Sequence, residues 1–335
     1  MDTEKLLYFG TSLVSTFVNS FKKPPEKVAS ILVVKLDEIG DMIYILHCIE
    51  ALGNHFPDAA ITVFCKSMNA SLIEQTGKVK HLLSEESQLQ TYYDIQVDFR
   101  GNLNSLKRAI KGKCGIYLDR GSIRLRNKFT GGQRHEVETN QDTIQWLFPD
   151  DYNWAKPQLN VTAEDELHVS NLLHEFHIAN YVVMHCGARD EARRWPVERF
   201  SALIDAIHSK YGKKTVLVGA PNESDLNNEV CSKTSHAVNF AGKTNLIELT
   251  ALIRKADLFV GNESGPLHFA IVEQKPLVAL FGPGVKDVFY PLYPNQKVIH
   301  HVSDKDQKTQ TAENSTILQI TVEEVINKVT TLLKS

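Results

Sequence analysis

Ile31-Leu32-Val33-Val34 is an uninterrupted apolar run, and a short loop through Gly40 separates it from a helical pattern over residues 41–52. Apolar residues without alternation mark a strand buried on both faces, as in a parallel sheet. Parallel neighbours require a crossover, and a helix usually supplies it. Ile61-Thr62-Val63-Phe64 reads as a second strand and residues 95–99 as a later one. After loop-like residues 150–157, a helix is expected over 163–176 and a second series begins. It runs through strand 181–185, helix 197–210, strand 215–218, helix 246–255, strand 258–260, a helix from Pro266, strand 277–281 and a last helix over 322–333. This alternation predicts an α/β fold, and 335 residues predict two domains rather than one core. The expected divisions are 1–25, an N-terminal amphipathic helix; 26–160, a first Rossmann-like domain; and 161–335, a second one, with its last helix free to pack back on the first.

Composition removes several classes of function. Hydrophobic residues at 42% and charged residues at 23% suit a folded chain rather than a disordered one. A net charge of -3 offers nucleic acid no general attraction, so any anion site is local. Ten Lys and Arg crowd residues 100–134 against one acid, Asp119, but no aromatic platforms interleave them, which disfavours a nucleic-acid reading. The five cysteines are odd in number and lack CxxC spacing, so neither a disulfide framework nor a zinc site is expected, and a reducing compartment is. No apolar run approaches the ~20 residues that span a bilayer. Leu6, Leu7, Phe9, Leu13, Val14, Phe17, Val18 and Phe21 do share one half of a helical wheel. Such a stripe is expected to pack on protein or to rest shallowly on a membrane face.

Three strand-to-helix loops carry the candidate chemistry, because ligands of open parallel sheets bind at the carboxyl ends of strands. In Lys35-Leu36-Asp37-Glu38-Ile39-Gly40-Asp41, Gly40 permits close backbone approach, and Asp41 either caps its helix or accepts a proton from a substrate hydroxyl. His185-Cys186-Gly187-Ala188 with Arg193-Arg194-Trp195-Pro196 is either a solvated loop or a diphosphate cradle. In Gly261-Asn262-Glu263-Ser264-Gly265-Pro266-Leu267-His268, Pro266 suits a first helical turn, so Ser264 and Gly265 would offer the helix N-terminus to an anion. Glu263 is placed for sugar hydroxyls there, and an ordinary capped turn is the alternative.

In order, these segments resemble glycosyltransferase family 9, the bacterial heptosyltransferases. The family's Ile-Gly-Asp loop is similar to residues 35–41, its His-Pro-Gly-Ala and Arg-Trp-Pro stretch to 185–196, and its Asn-Asp-Ser-Gly-Pro-x-His motif to 262–268. Ala279-Leu280-Phe281-Gly282-Pro283 also fits, while Asp98-Phe99-Arg100-Gly101 and His135-Glu136-Val137-Glu138 resemble weaker signatures. The resemblance implies GT-B architecture, two Rossmann-like domains facing a central cleft, and inverting transfer of a sugar, heptose from ADP-heptose, to a lipopolysaccharide core or related glycan. It implies that Asp41 is the general base and that Gly187, Arg193, Glu223, Glu263, Ser264, Gly265 and His268 bind the donor. The acceptor, an anionic glycolipid, would meet Gly40, Arg100, Arg120, Arg124 and Arg126. Cys186, Arg193 and Glu263 depart from the family's Pro, Lys and Asp, and the last lengthens the carboxylate at the sugar pocket. No Asp-x-Asp pair follows a strand, so no obligatory metal or cofactor is expected beyond the nucleotide-sugar substrate. A cytoplasmic location, with peripheral contact at the inner membrane, is implied as well. A non-catalytic sugar-nucleotide-binding protein on the same fold is the alternative, which donor turnover in the presence of acceptor would separate.

Overall fold

A computed structural model describes residues 25–130, 132, 134–283, 286–301 and 310–333, so the stripe at residues 6–21 lies outside the described residues. The chain divides into two compact units, Met1–Gln158 and Leu159–Ser335, against an expected division at 160/161.

Unit 1 contains β1 (Ser30–Lys35), β2 (Ala60–Cys65), β3 (His81–Leu83), β4 (Tyr93–Asp98) and β5 (Cys114–Asp119). They form one sheet in the order β3-β2-β1-β4-β5, and every pairing is parallel. Ile31, Leu32 and Val33 are fully buried, as a central strand covered on both faces requires. The order reverses between β1 and β4, where Val34 pairs with Asp98. That reversal opens a crevice at the strand ends, and the loops after β1 and β4 border it.

The helix expected over 41–52 is two helices, Ile39–Ile43 and Leu46–His55. The break has a tertiary cause. Asn140 Nδ2 donates to the Tyr44 carbonyl at 3.1 Å, and the Cys48 amide turns to the Ile45 carbonyl instead. A side chain inserted into the i→i−4 ladder is a recognised origin of a kink.

Unit 2 contains β6 (Tyr181–His185), β7 (Lys214–Leu217), β8 (Ala237–Asn239), β9 (Leu258–Asn262), β10 (Leu277–Phe281) and β11 (Gln296–His300). Its sheet runs β11-β10-β9-β6-β7-β8, again parallel throughout, with the reversal between β6 and β9. His185 and Gly261 are register partners at that point. Helix Val197–Tyr211 ends on Gly212 in the left-handed region, φ 66°, a conformation that glycine adopts without strain. The last helix, Val322–Leu333, does not need the first domain to bury its apolar stripe. Val325, Val329 and Leu332 pack with Phe200, Leu203 and Leu280 in the core of unit 2. No helix among the described residues is long and apolar enough to cross a membrane.

Candidate active site

In unit 1 the charged residues gather at the carboxyl ends of β1, β4 and β5. Lys35, fully buried, reaches the Phe99 carbonyl at 3.1 Å and Asp37 Oδ2 at 2.9 Å. Glu136, also fully buried, accepts from Arg120 at 2.7 Å and lies 3.5 Å from Arg124 and 3.8 Å from Lys35. Arg100 bridges the Leu36 carbonyl at 2.8 Å and Asp37 at 3.2 Å. The loop after β4 is shaped by Asp98, whose carboxylate accepts from the amides of Arg100, Gly101 and Asn102. Gly101 closes this turn at φ 88°.

Asp41 stands among these groups without a hydrogen bond or ion pair of its own among the described residues. It lies inside the first turn of Ile39–Ile43, whose N-cap position is Glu38, so capping is not its task. Burial raises its carboxyl above the ordinary range. Lys35 opposes that rise, Asp37 and Glu136 add to it, and Arg120 opposes it. A carboxylate so raised is a stronger base. If it works ionised, kcat/KM should fall as pH drops through its raised pKa, placing the acid limb above the pH expected of an exposed aspartate. A pH profile of wild-type enzyme checks this, and a limb at or below about pH 4 would contradict it.

The basic segment 100–134 is not one solvated patch. Arg120, expected to meet the acceptor, is instead buried in its ion pair with Glu136. Arg126 and Arg134 both contact Asp142, and Arg134 also pairs with Glu138. Arg100 and Arg124 are partly open beside Asp37 and Glu136. Gly40 is buried in the first turn of Ile39–Ile43. The segment also contains β5, because Cys114 to Asp119 pairs with β4.

In unit 2 the loops after β6 and β9 are joined by side chains. Fully buried Asn262 accepts from the Trp195 amide at 3.1 Å and donates to the Cys186 carbonyl at 2.8 Å. Trp195, buried, donates through Nε1 to the Ile320 carbonyl at 2.9 Å, which pins the far end of that loop. His185 lies 2.8 Å from Ser264 Oγ through Nδ1 and 3.2 Å from Glu223 Oε2 through Nε2. A carboxylate only accepts, so Nε2–H donates to Glu223. In the neutral ring Nδ1 then accepts from the Ser264 hydroxyl. When the ring is protonated Nδ1 donates, and Ser264 can turn its proton to the Asn262 carbonyl 3.0 Å away.

Glu223 also accepts from the Ala220 amide at 2.8 Å. Burial alone would raise its carboxyl, but the hydrogen bond and charge of His185, the Ala220 amide and the Arg194 charge hold it below the usual carboxylate range. A Cβ on Gly187 would overlap this carboxylate, so any larger residue there would push Glu223 out of its place beside His185. Arg193 donates to Glu263 at 2.9 Å beside the start of helix Gly265–Val272. Pro266 lies in its first turn and Ser264 does not cap it with its side chain. The Gly265 amide makes no hydrogen bond among the described residues, and apart from its chain neighbours and its own helix backbone nothing lies within 4 Å of a Cβ built on Gly265. His268 is buried and meets the Phe289 ring edge-on at 5.5 Å.

Unit 2 therefore holds Gly187, Arg193, Glu223, Glu263, Ser264 and Gly265 together at the strand-order reversal. Sequence reasoning passed over Lys35, Glu136, His185 and Asn262 as site residues. Lys35 and His185 each end a buried parallel strand, a position that could have marked them. Glu136 and Asn262 act through contacts distant in sequence.

Comparison with known proteins agrees with these features. The family model "Glycosyltransferase family 9 (heptosyltransferase)" matches residues 87–318. Lipopolysaccharide heptosyltransferase 3 of Escherichia coli is 28% identical over 77% of this chain and 85% of its own length. A glycosyltransferase family 9 structure from Veillonella parvula superimposes with a TM-score of 0.77 at 20% identity, covering 93% of this chain and 99% of that one. The E. coli ADP-heptose lipopolysaccharide heptosyltransferase II follows at 0.71 and 22%, covering 91% and 98%.

Proposed function

The chain belongs to glycosyltransferase family 9, with the GT-B fold, and from that premise we propose that it transfers heptose from ADP-heptose, with inversion, to a lipopolysaccharide core or related anionic glycan. The observation that carries this reading is the open turn at Ser264-Gly265. An unpartnered amide at a helix N-terminus, with open space where a Gly265 side chain would stand and Arg193 paired to the neighbouring Glu263, suits a diphosphate. The choice of ADP rests on E. coli heptosyltransferase II, described as an ADP-heptose enzyme.

In this reading the acceptor hydroxyl attacks the anomeric carbon while Asp41 takes its proton. The bond to the diphosphate oxygen breaks on the opposite face, and the leaving charge falls on Arg193 and the helix N-terminus. Glu223 holds the donor ribose, and Glu263 the sugar hydroxyls. Arg100, Arg124 and Arg126 meet the acceptor's anionic groups, with Arg120 acting from beneath through Glu136. Because Arg193 and the helix dipole meet the leaving charge, no metal step is included, and transfer should persist in excess chelator. The enzyme would work on the cytoplasmic side, in peripheral contact with the inner membrane that bears its lipid-linked acceptor.

Calorimetry with ADP, GDP and UDP tests the donor site. ADP should bind tightest. Arg193→Ala should weaken ADP by about 10–100-fold, the scale of a lost charged hydrogen bond. Gly265→Ala should fold and melt like wild type, since its methyl meets open space, yet bind ADP more weakly. Unchanged ADP affinity in both variants would place the donor elsewhere.

A further inference from the structure

At the other end of the unit 1 sheet lies a cavity of about 310 Å³ that the proposed reaction does not use. Its walls include Lys107, Arg108, Lys111 and Lys113, four cations against the single acid Glu86, which Asn104 already engages at 2.8 Å. Gln90 and Thr91, just before β4, and Lys113, just before β5, place it at the amino ends of those strands. Asp41 and its neighbours sit at the carboxyl ends.

The cations divide along the segment. Arg100, Arg120, Arg124, Arg126 and Arg134 all have acidic partners. Lys107, Lys111 and Lys113 make no ion pair among the described residues. Helix Leu103–Ile110 buries Ser105, Leu106 and Ala109, with Leu106 and Ala109 against Cys114 and Tyr117. Its opposite face repeats at helical spacing and presents Leu103, Lys107, Ile110 and then Lys111. Leu103 is 50% and Ile110 65% exposed, and Tyr92, next to the cavity wall, is 48% exposed. Large apolar side chains interleaved with unpaired lysines fit a surface that is apolar beneath and anionic above.

We propose that this face docks on an anionic phospholipid bilayer. Lys107, Lys111 and Lys113 meet headgroup phosphates, and Leu103 and Ile110 enter the boundary beneath them. The commitment to a bilayer follows from charge complementarity combined with the two exposed aliphatics on one helix face, since a soluble anion would have no use for Leu103 or Ile110. The proposal rests on the lipid-linked acceptor only for its purpose, not for its observations.

The test is sedimentation of the full chain with phosphatidylcholine vesicles, with and without phosphatidylglycerol, both lacking any acceptor. Wild type should pellet with the anionic vesicles only. Lys107→Glu/Lys111→Glu should reduce the partition coefficient by at least about 30-fold, from about fivefold per lysine near a charged surface. Leu103→Ser/Ile110→Ser should also reduce it, with both variants melting like wild type. Equal pelleting of wild type and variants, or failure of wild type to bind anionic vesicles, overturns the proposal. Parallel transfer assays keep the two readings apart. The variants should lose rate on acceptor embedded in anionic vesicles and retain it on acceptor glycan freed from lipid. Absence of transfer by wild type to either acceptor would sink the transferase reading and leave the vesicle result standing.

Discussion

Asp41→Asn should lower kcat by ~10²–10⁴-fold, the usual contribution of a general base, while ADP affinity and the fold stay intact. The amide keeps the size of the carboxylate and removes only its capacity to take a proton. Nothing in the fold depends on that carboxylate. It caps no helix and accepts no hydrogen bond among the described residues. Stability should respond in the opposite direction. Burial raises the folded-state pKa of Asp41, so the folded chain holds that proton more tightly than the unfolded one. Ionising it at neutral pH therefore costs stability, and the neutral amide removes that cost. Asp41→Asn should melt at or above the wild-type temperature near pH 7, and the difference should vanish at pH values below both pKa values. Steady-state kinetics with a melting curve read both effects. Wild-type kcat would remove Asp41 from the chemistry, and a large loss of stability would give it a structural role.

The largest structural effect is expected at Glu136. Its carboxylate is fully buried and answers to Arg120, Arg124 and Lys35. Glu136→Ala leaves Arg120 and Lys35 buried with less countercharge, and Lys35 keeps only Asp37, which it shares with Arg100. Removing one partner of a buried ion pair typically costs about 3–5 kcal/mol. The loss should be local to unit 1, so amide exchange in β1, β4 and β5 should accelerate while β6 and β9 stay protected. Uniform protection across both units would mean that Glu136 contributes little. Glu136→Gln keeps the shape and one acceptor, and should lie between the two.

How much of this was legible in the sequence differs from residue to residue. The central strands announced themselves, because burial on both faces leaves runs such as Ile31 to Val34 and Leu277 to Phe281 without polar interruption. The loops after β1, β6 and β9 were found because Gly40, Gly187 and Gly265 punctuate strand ends. β5 was missed, since its Cys114-Gly115-Ile116-Tyr117 run sits inside a basic segment and carries a glycine. The kink at Tyr44 was invisible, because its cause is Asn140, almost a hundred residues away. Arg120 stands among the expected acceptor contacts because composition alone cannot foresee its buried pairing with Glu136. His185 was quoted within a motif and not as a site residue, although its contacts to Ser264 and Glu223 tie three loops together.

The most direct test of the account is product analysis with ADP-heptose and a lipid-linked inner-core acceptor. The account predicts that wild type adds one heptosyl unit to the acceptor by mass, releases one ADP per transfer and inverts the anomeric configuration, and that Asp41→Asn binds ADP-heptose without doing so. Tight binding of ADP-heptose by wild type with no ADP released in the presence of acceptor would contradict it, and would make the chain a sugar-nucleotide-binding protein on a transferase fold.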